Sequence, residues 1–206
     1  MAPDRAMYRW RQMTPEERRE ALDYRQRHHL PWHSPPHYEG GGCYLLTAAC
    51  YEHQPVIGLS PERMAAFEQE LLTEAASCSA ELHCWVVLPN HYHFLARVPD
   101  PGVLLAALGQ LHGRTSHRWN GEEQSRGRKV WYRAAETAMK SEAHFWATVN
   151  YVLHNPVRHG YVERWQDWPY SNAKRYLEAV GRDEVERRWR EYPLLDYGDN
   201  WDPAEM

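Results

Sequence analysis

A chain of 206 residues, 43% hydrophobic and 25% charged, carries enough apolar mass for one packed domain with extensions and has no apolar run long enough to span a membrane. Its formal charge of -4 excludes a uniformly basic coat, so any contact with nucleic acid must come from a local patch. The start, Met1-Ala2-Pro3-Asp4-Arg5, lacks the layout of a secretion signal, and Cys43, Cys50, Cys78 and Cys84 show no CxxC pairing; the expectation is a cytoplasmic protein with reduced thiols.

Thr14-Pro15-Glu16-Glu17 supplies an N-cap, a proline at the first helical position and two first-turn acids, which predicts a helix from about Pro15 to near His29. Pro31, Pro35, Pro36 and Gly40-Gly41-Gly42 break it off, so residues 1–40 read as an N-terminal helical extension and linker. A β-type run over Cys43–Tyr51 follows. Ser60-Pro61-Glu62 then caps a helix to about Ser77, with Met64, Phe67, Leu71 and Leu72 on its inner side. Leu82–Leu88 reads as a buried strand, and Pro89-Asn90 turns the chain back into a second strand, His91–Val98. Pro99-Asp100-Pro101-Gly102 opens a helix over about Val103–Trp119, and Lys129–Arg133 looks like a further strand. The order strand, helix, strand, strand, helix, strand is the ferredoxin-like βαββαβ arrangement: an α+β core with an antiparallel sheet, helices on one face and the other face open to a ligand. That core spans residues 41–160, and 161–206 form a C-terminal helical extension ending in an acidic tail.

The second strand of the hairpin holds the first informative pattern. His91 and His93 flank Tyr92, so on a strand both imidazoles project from one face, about 7 Å apart along the backbone, a spacing suited to one metal ion. Tyr92, Phe94, Ala96 and Val98 form the opposite, apolar set. A pair of exposed imidazoles is the rival reading. The second pattern lies on a helix from Glu142 to about Asn155, ended by Pro156: Phe145, Val149 and Val152 make an apolar stripe, with His144, Thr148, Tyr151 and Asn155 on a neighbouring polar one. Tyr151, His154 and Asn155 thus gather at one helix end, where His154 and Asn155 could also serve as caps. If Asn155 offers a carbonyl oxygen, the mixed His/His/Asn set suits Mg²⁺ or Mn²⁺ bound with a phosphate, and Tyr151 could then attack phosphorus.

Leu88-Pro89-Asn90-His91-Tyr92-His93-Phe94-Leu95 resembles the HUH motif of single-tyrosine transposases, and Tyr151-Val152-Leu153-His154-Asn155-Pro156-Val157-Arg158-His159-Gly160-Tyr161-Val162 resembles their nucleophile helix. Trp165-Gln166-Asp167-Trp168-Pro169-Tyr170-Ser171 is similar to the segment that follows in the REP-associated tyrosine transposase branch; together the likeness covers roughly residues 43–176. The resemblance implies metal-dependent cleavage and rejoining of hairpin-forming single-stranded DNA within a ferredoxin-like domain. His91 and His93 would bind Mg²⁺ or Mn²⁺, Asn155 would be the third ligand with His154 as the alternative, and Tyr151 would form a 5′-phosphotyrosine without any nucleotide cofactor. It also implies a monomer, a dimer being the alternative. The third histidine of the broader HUH class is replaced on this face by Leu95, which favours Asn155.

Arg114, Arg118, Arg128 and Lys129 are the candidates for phosphate contacts within a basic middle that also holds Arg126 and Arg133. Trp165 and Trp168, and after them Trp119, Trp131, Tyr132 and Tyr170, are candidates for stacking on unpaired bases. The tail from Glu191 carries Asp196, Asp199, Asp202 and Glu205 with no Lys or Arg, which suggests that it competes with phosphate for the DNA groove. The competing readings are a ferredoxin-like nucleic-acid-binding protein without catalysis, and a hydrolase of small phosphorylated substrates, which lacks the extra Asp and His ligands of a two-metal site.

Overall fold

The structure, a computed structural model, describes residues 14–27 and 41–194. The chain divides into a unit of residues 1–37 and a unit of residues 38–206. In the first, helix α1 (Pro15–Arg27) begins with a reciprocal cap: Glu17 N–H donates to Thr14 Oγ1 (3.3 Å) and Thr14 N–H to Glu17 Oε2 (2.7 Å). Residues 28 and 29, at the expected end of this helix, and the acidic positions 196–205 lie outside the described residues.

The second unit is built on β1 (Gly42–Ala49), α2 (Pro61–Ser77), β2 (Glu81–Val87), β3 (His91–Val98), α3 (Pro101–Glu122), β4 (Ala135–Ala138), α4 (Glu142–Arg158), α5 (Ala173–Val180) and α6 (Arg182–Glu191). The strands form one antiparallel sheet in the order β2-β3-β1-β4, the topology expected of a βαββαβ core. Local chemistry sets the boundaries. Ser60 Oγ accepts from Arg63 N–H to start α2, Asp100 Oδ1 accepts from Gly102 and Val103 N–H to start α3, and Ser141 Oγ accepts from His144 N–H to start α4. The β2–β3 hairpin is closed by Leu88 N–H donating to His91 O at 2.8 Å.

Alternation along the sheet divides the core. Tyr44, Leu46, Ala48, Tyr92, Phe94, Ala96 and Val98 meet α2 and α3 on one face through Phe67, Leu71, Leu104, Leu108 and Trp119. Leu45, Cys84, Val86 and Leu95 meet Val149, Val152 and Leu153 of α4 on the other, joined by Trp165, Ala173 and Val185 from the C-terminal segment. The open second face expected from the sequence is therefore corrected: α4 covers it, because its apolar residues have no other surface against which to leave water.

Two elements differ from expectation. The fourth strand is Ala135–Ala138, paired with Tyr44–Thr47, whereas the stretch at 129–133 makes a single bridge between Trp131 and Cys50. Trp131 leaves the ladder to enter the core, stacked on His112 (4.3 Å) and donating from Nε1 to Thr115 Oγ1 (3.0 Å). Helix α4 also runs past Pro156 to Arg158. Proline has no N–H and crowds the carbonyl four residues earlier, but here that disturbance falls in the last turn, which His159 N–H closes on Asn155 O at 3.1 Å before Gly160 at φ 72 turns the chain away.

Candidate functional site

His91 and His93 stand on β3 opposite Ala49 and Thr47 of β1, and that register fixes the rings. Thr47, directly across from His93, holds its Nδ1 through Oγ1 at 2.8 Å. His91 Nδ1 lies 2.6 Å from Asn90 Oδ1, while Asn90 Nδ2 donates to His53 O at 3.1 Å. Asn90's amide is thereby oriented, so in the neutral ring Nδ1 of His91 carries the proton and Nε2 keeps its lone pair. Both histidines are buried, 2% and 0% exposed, with ring centres 5.0 Å apart.

Helix α4 presents its row to this pair. Tyr151 and Asn155, one turn apart, reach the two rings: Tyr151 Oη lies 3.4 Å from His93 Nε2, and Asn155 Oδ1 lies 3.1 Å from His91 Nε2. His159, a turn further on, packs its ring against His91 at 5.0 Å between centres. The Arg158 guanidinium sits 5.9 Å from the centre of the Tyr151 ring. His154, the alternative third ligand, is not brought to the site. It lies about 100° around the helix from Asn155, edge-on to Trp189 at 5.2 Å, in a hollow shared with Asn150, Tyr192, Pro193 and Leu194. Burial holds the His154 imidazole below the ordinary histidine pKa.

The residues present fit a divalent cation. Asn155 is fully buried, and its Nδ2 has no hydrogen-bond partner while its Oδ1 faces the lone pair of His91. Turning the amide over would only exchange which atom is left over, an arrangement costly in a protein interior. A divalent cation held by both Oδ1 and Nε2 would relieve that conflict, since both atoms offer it a lone pair. The Nδ1 contacts to Asn90 and Thr47 are of the kind that would orient these imidazoles as ligands. Among the described residues no three of His, Cys, Asp and Glu form a metal-holding group, and the further oxygen donor that the structure sets beside the histidine pair is the Asn155 amide, its Oδ1 3.1 Å from His91 Nε2.

The basic and aromatic candidates are scattered. Arg114 pairs with Glu74, and Arg118 with Glu70 at 2.7 Å, across the seam between α3 and α2, on the far side of the sheet from Tyr151. Arg128 pairs with Glu123 at 2.9 Å. Lys129 instead lies over Tyr51 (4.2 Å) and Tyr132 (5.2 Å), beside the turn that Asn90 binds. Trp119, Trp131 and Trp165 are core residues, 1%, 7% and 9% exposed, which corrects their reading as stacking surfaces. Trp168 is half-buried with Nε1 donating to Val87 O, and Tyr170 donates to Pro61 O; Tyr132 alone of the six shows an open face, 39% exposed. The thiols are free, and burial raises Cys43 to about 11 and Cys50 to about 12, which disfavours at these two positions the thiolate that a metal or an electrophile requires.

Sequence reasoning missed Thr47, His159 and the tethering role of Asn90. His159 was visible as the residue four beyond Asn155, but the proline between them hid the continuation; Thr47 has no signal without the strand register.

No protein-family model matches the chain. It is 29% identical over 101 residues to the REP-associated tyrosine transposase of Escherichia coli K12, covering 46% of this chain and 55% of that protein. It is 30% identical over 103 residues to a Haemophilus influenzae Rd protein provisionally given the same name, covering 45% of this chain and 58% of the relative. The chain thus spans little more than half the length of the curated relatives it matches. A solved REP-associated tyrosine transposase bound to a REP hairpin shares the fold, with a TM-score of 0.58 at 19% identity over 75% of this chain and 90% of that one. The relatives it matches carry the name of the branch that the sequence resembles.

Proposed function

We propose that this chain is a metal-dependent nuclease and strand transferase for hairpin-forming single-stranded DNA, working through a 5′-phosphotyrosine at Tyr151. The observation that carries this reading is the facing of two rows within one buried surface, His91 and His93 on β3 against Asn155 and Tyr151 on α4. Mg²⁺ or Mn²⁺ held by His91, His93 and Asn155 would polarise a phosphoryl oxygen and neutralise developing charge. Tyr151 Oη forms the new bond to phosphorus as the P–O3′ bond breaks; the phenol gives up one proton and the departing 3′ oxygen gains one. The phosphodiester energy stays in the tyrosyl ester, so a second 3′-OH reverses the step without a nucleotide cofactor. Arg158 places positive charge beside the ring that becomes negative. Tyr151 is 1% exposed, so attack requires the phenol to turn from His93 toward the incoming strand.

The test is incubation of the full chain with labelled hairpin single-stranded DNA and Mn²⁺ beside Tyr151→Phe. A denaturation-resistant protein–DNA adduct is expected with the parent and none with the variant. Cleavage of wild-type rate by Tyr151→Phe overturns the assignment, and tight hairpin binding by both proteins without any cleavage selects the binding-protein reading instead.

A further inference from the structure

At the end of β1 the chain makes a tight turn, Tyr51–His53, in which Glu52 (φ 52) and His53 (φ 51) are both left-handed. Such a conformation is uncommon and costly for residues with a Cβ, and two in succession persist only when the surroundings hold them. Here Asn90 Nδ2 holds His53 O, and the same Asn90 holds His91 Nδ1, so the turn is fastened directly to the candidate metal pair. Beside the turn lies a cavity of about 410 Å³, whose lining includes Tyr51, Gln54, Val56, Leu59, Arg128 and Lys129. That is within the range of about 300 to 1,000 Å³ typical of small-ligand sites.

The chemistry around it is specific. Tyr51 and Tyr132 are tilted neighbours with ring centres 5.1 Å apart, and Tyr132 is 39% exposed. Lys129 Nζ sits over both rings. Arg114, Arg118 and Arg128 are each paired with a glutamate, whereas Lys129 has no carboxylate partner among the described residues. Of the lining carboxylates, Glu123 is occupied by Arg63 and Arg128, which hold it below the usual carboxylate range, and Glu52 stands at the turn. An aromatic face beside an ammonium that has no carboxylate partner among the described residues fits an unpaired nucleobase and its phosphate.

We propose that Lys129, which lines this cavity, and Tyr132, the ring neighbour of its lining residue Tyr51, form a subsite for one unpaired nucleotide of the DNA strand, the base stacking on Tyr132 and the phosphate meeting Lys129. This rests on the single-stranded DNA reading above and gives it a place where the strand is gripped next to His91. Stacking accounts for binding that tolerates base identity, since every base has a π-face; the ammonium accounts for its salt dependence.

The test is a fluorescence-anisotropy titration of the full chain with a labelled single-stranded pentanucleotide that cannot form a hairpin, at low and moderate salt, with no metal added. Tyr132→Ala is expected to weaken binding about tenfold and Tyr132→Phe to restore it; Lys129→Gln is expected to weaken it and to flatten the salt dependence. Unchanged affinity in both Tyr132→Ala and Lys129→Gln overturns the subsite, as does loss in Tyr132→Phe equal to that in Tyr132→Ala. Thermal melts of each variant separate lost binding from lost fold. Because this readout needs neither metal nor Tyr151, pentanucleotide binding that obeys these rules while no Tyr151 adduct forms leaves the subsite standing and rejects only the cleavage reading.

Discussion

Asn90 serves two structures at once: its Oδ1 holds His91 Nδ1 and its Nδ2 holds the carbonyl of the left-handed His53. Replacing it by alanine leaves the imidazole without the partner that fixes its proton, so Asn90→Ala is expected to weaken Mn²⁺ binding by about 10- to 100-fold, the usual loss when an outer partner of a ligand is removed. A Mn²⁺ titration followed by electron paramagnetic resonance checks this; unaltered affinity would show that His91 is not a ligand oriented through Asn90. His112 is a different buried imidazole, on the opposite face of the sheet, with Nε2 3.0 Å from Tyr92 Oη and a pKa pushed down to about 4 by burial. The unfolded chain protonates near pH 6.5 while the native ring stays neutral. Its contribution to stability is therefore complete above pH 6.5 and is lost as pH falls toward 4, by of order 3 kcal/mol. The stability difference between the parent and His112→Gln in urea is expected to shrink steadily from pH 7 to pH 4.5; a difference independent of pH contradicts the assignment. The HxH pair, Tyr151 and Asn155 were legible residue by residue because their spacings follow strand and helix periods. Thr47 and the double role of Asn90 were not, since these contacts depend on which residue lies across the sheet.

The elements show the same division. Capped starts at Thr14, Ser60 and Asp100 and the Pro89-Asn90 turn were readable from local chemistry, as was β3, His91–Val98. The fourth strand was misplaced because Lys129–Arg133 has the better β composition, yet its Trp131 gains more by burial against Phe67, His112 and Trp119 than a ladder position offers. Ala135–Ala138 carries little intrinsic strand signal and pairs because it reaches the free edge of β1. A close approach elsewhere sets the hairpin: Gly58 N–H donates to Pro89 O at 2.9 Å, and a Cβ at Gly58 would meet Pro89 Cβ and come within 2.8 Å of its Cα. Gly58→Ala is expected to destabilise the fold by about 1 to 3 kcal/mol in urea unfolding and to weaken Mn²⁺ binding, because Pro89 precedes Asn90 and His91 directly. Destabilisation with intact metal affinity would mean that the hairpin turn does not set the ligand positions.

At the scale of the whole molecule, charge is the open lever. The chain's 28 acids exceed its 24 Lys and Arg, and Asp196, Asp199, Asp202 and Glu205 lie beyond Leu194. Residues just before them are packed, since Asn150 Nδ2 donates to Tyr192 O at 2.9 Å, so truncation is best placed after Leu194. That truncation is expected to tighten binding of hairpin DNA at low salt by several-fold and to steepen its salt dependence, measured by anisotropy; equal or weaker binding rejects competition by the tail. Among the described residues no helix is long and apolar enough to cross a membrane.

The sequence by itself determined which residues share a face: strand alternation aligned His91 with His93, and helical spacing aligned Tyr151 with Asn155. Only the tertiary structure decided that the two rows meet. Periodicity is a property of the local backbone, whereas the placement of α4 across β3 depends on Leu45, Cys84, Val86 and Leu95 burying Val149, Val152 and Leu153 from residues far away in the chain. That packing closed the face expected to be open, carried His154 away from the pair and brought His159 against it.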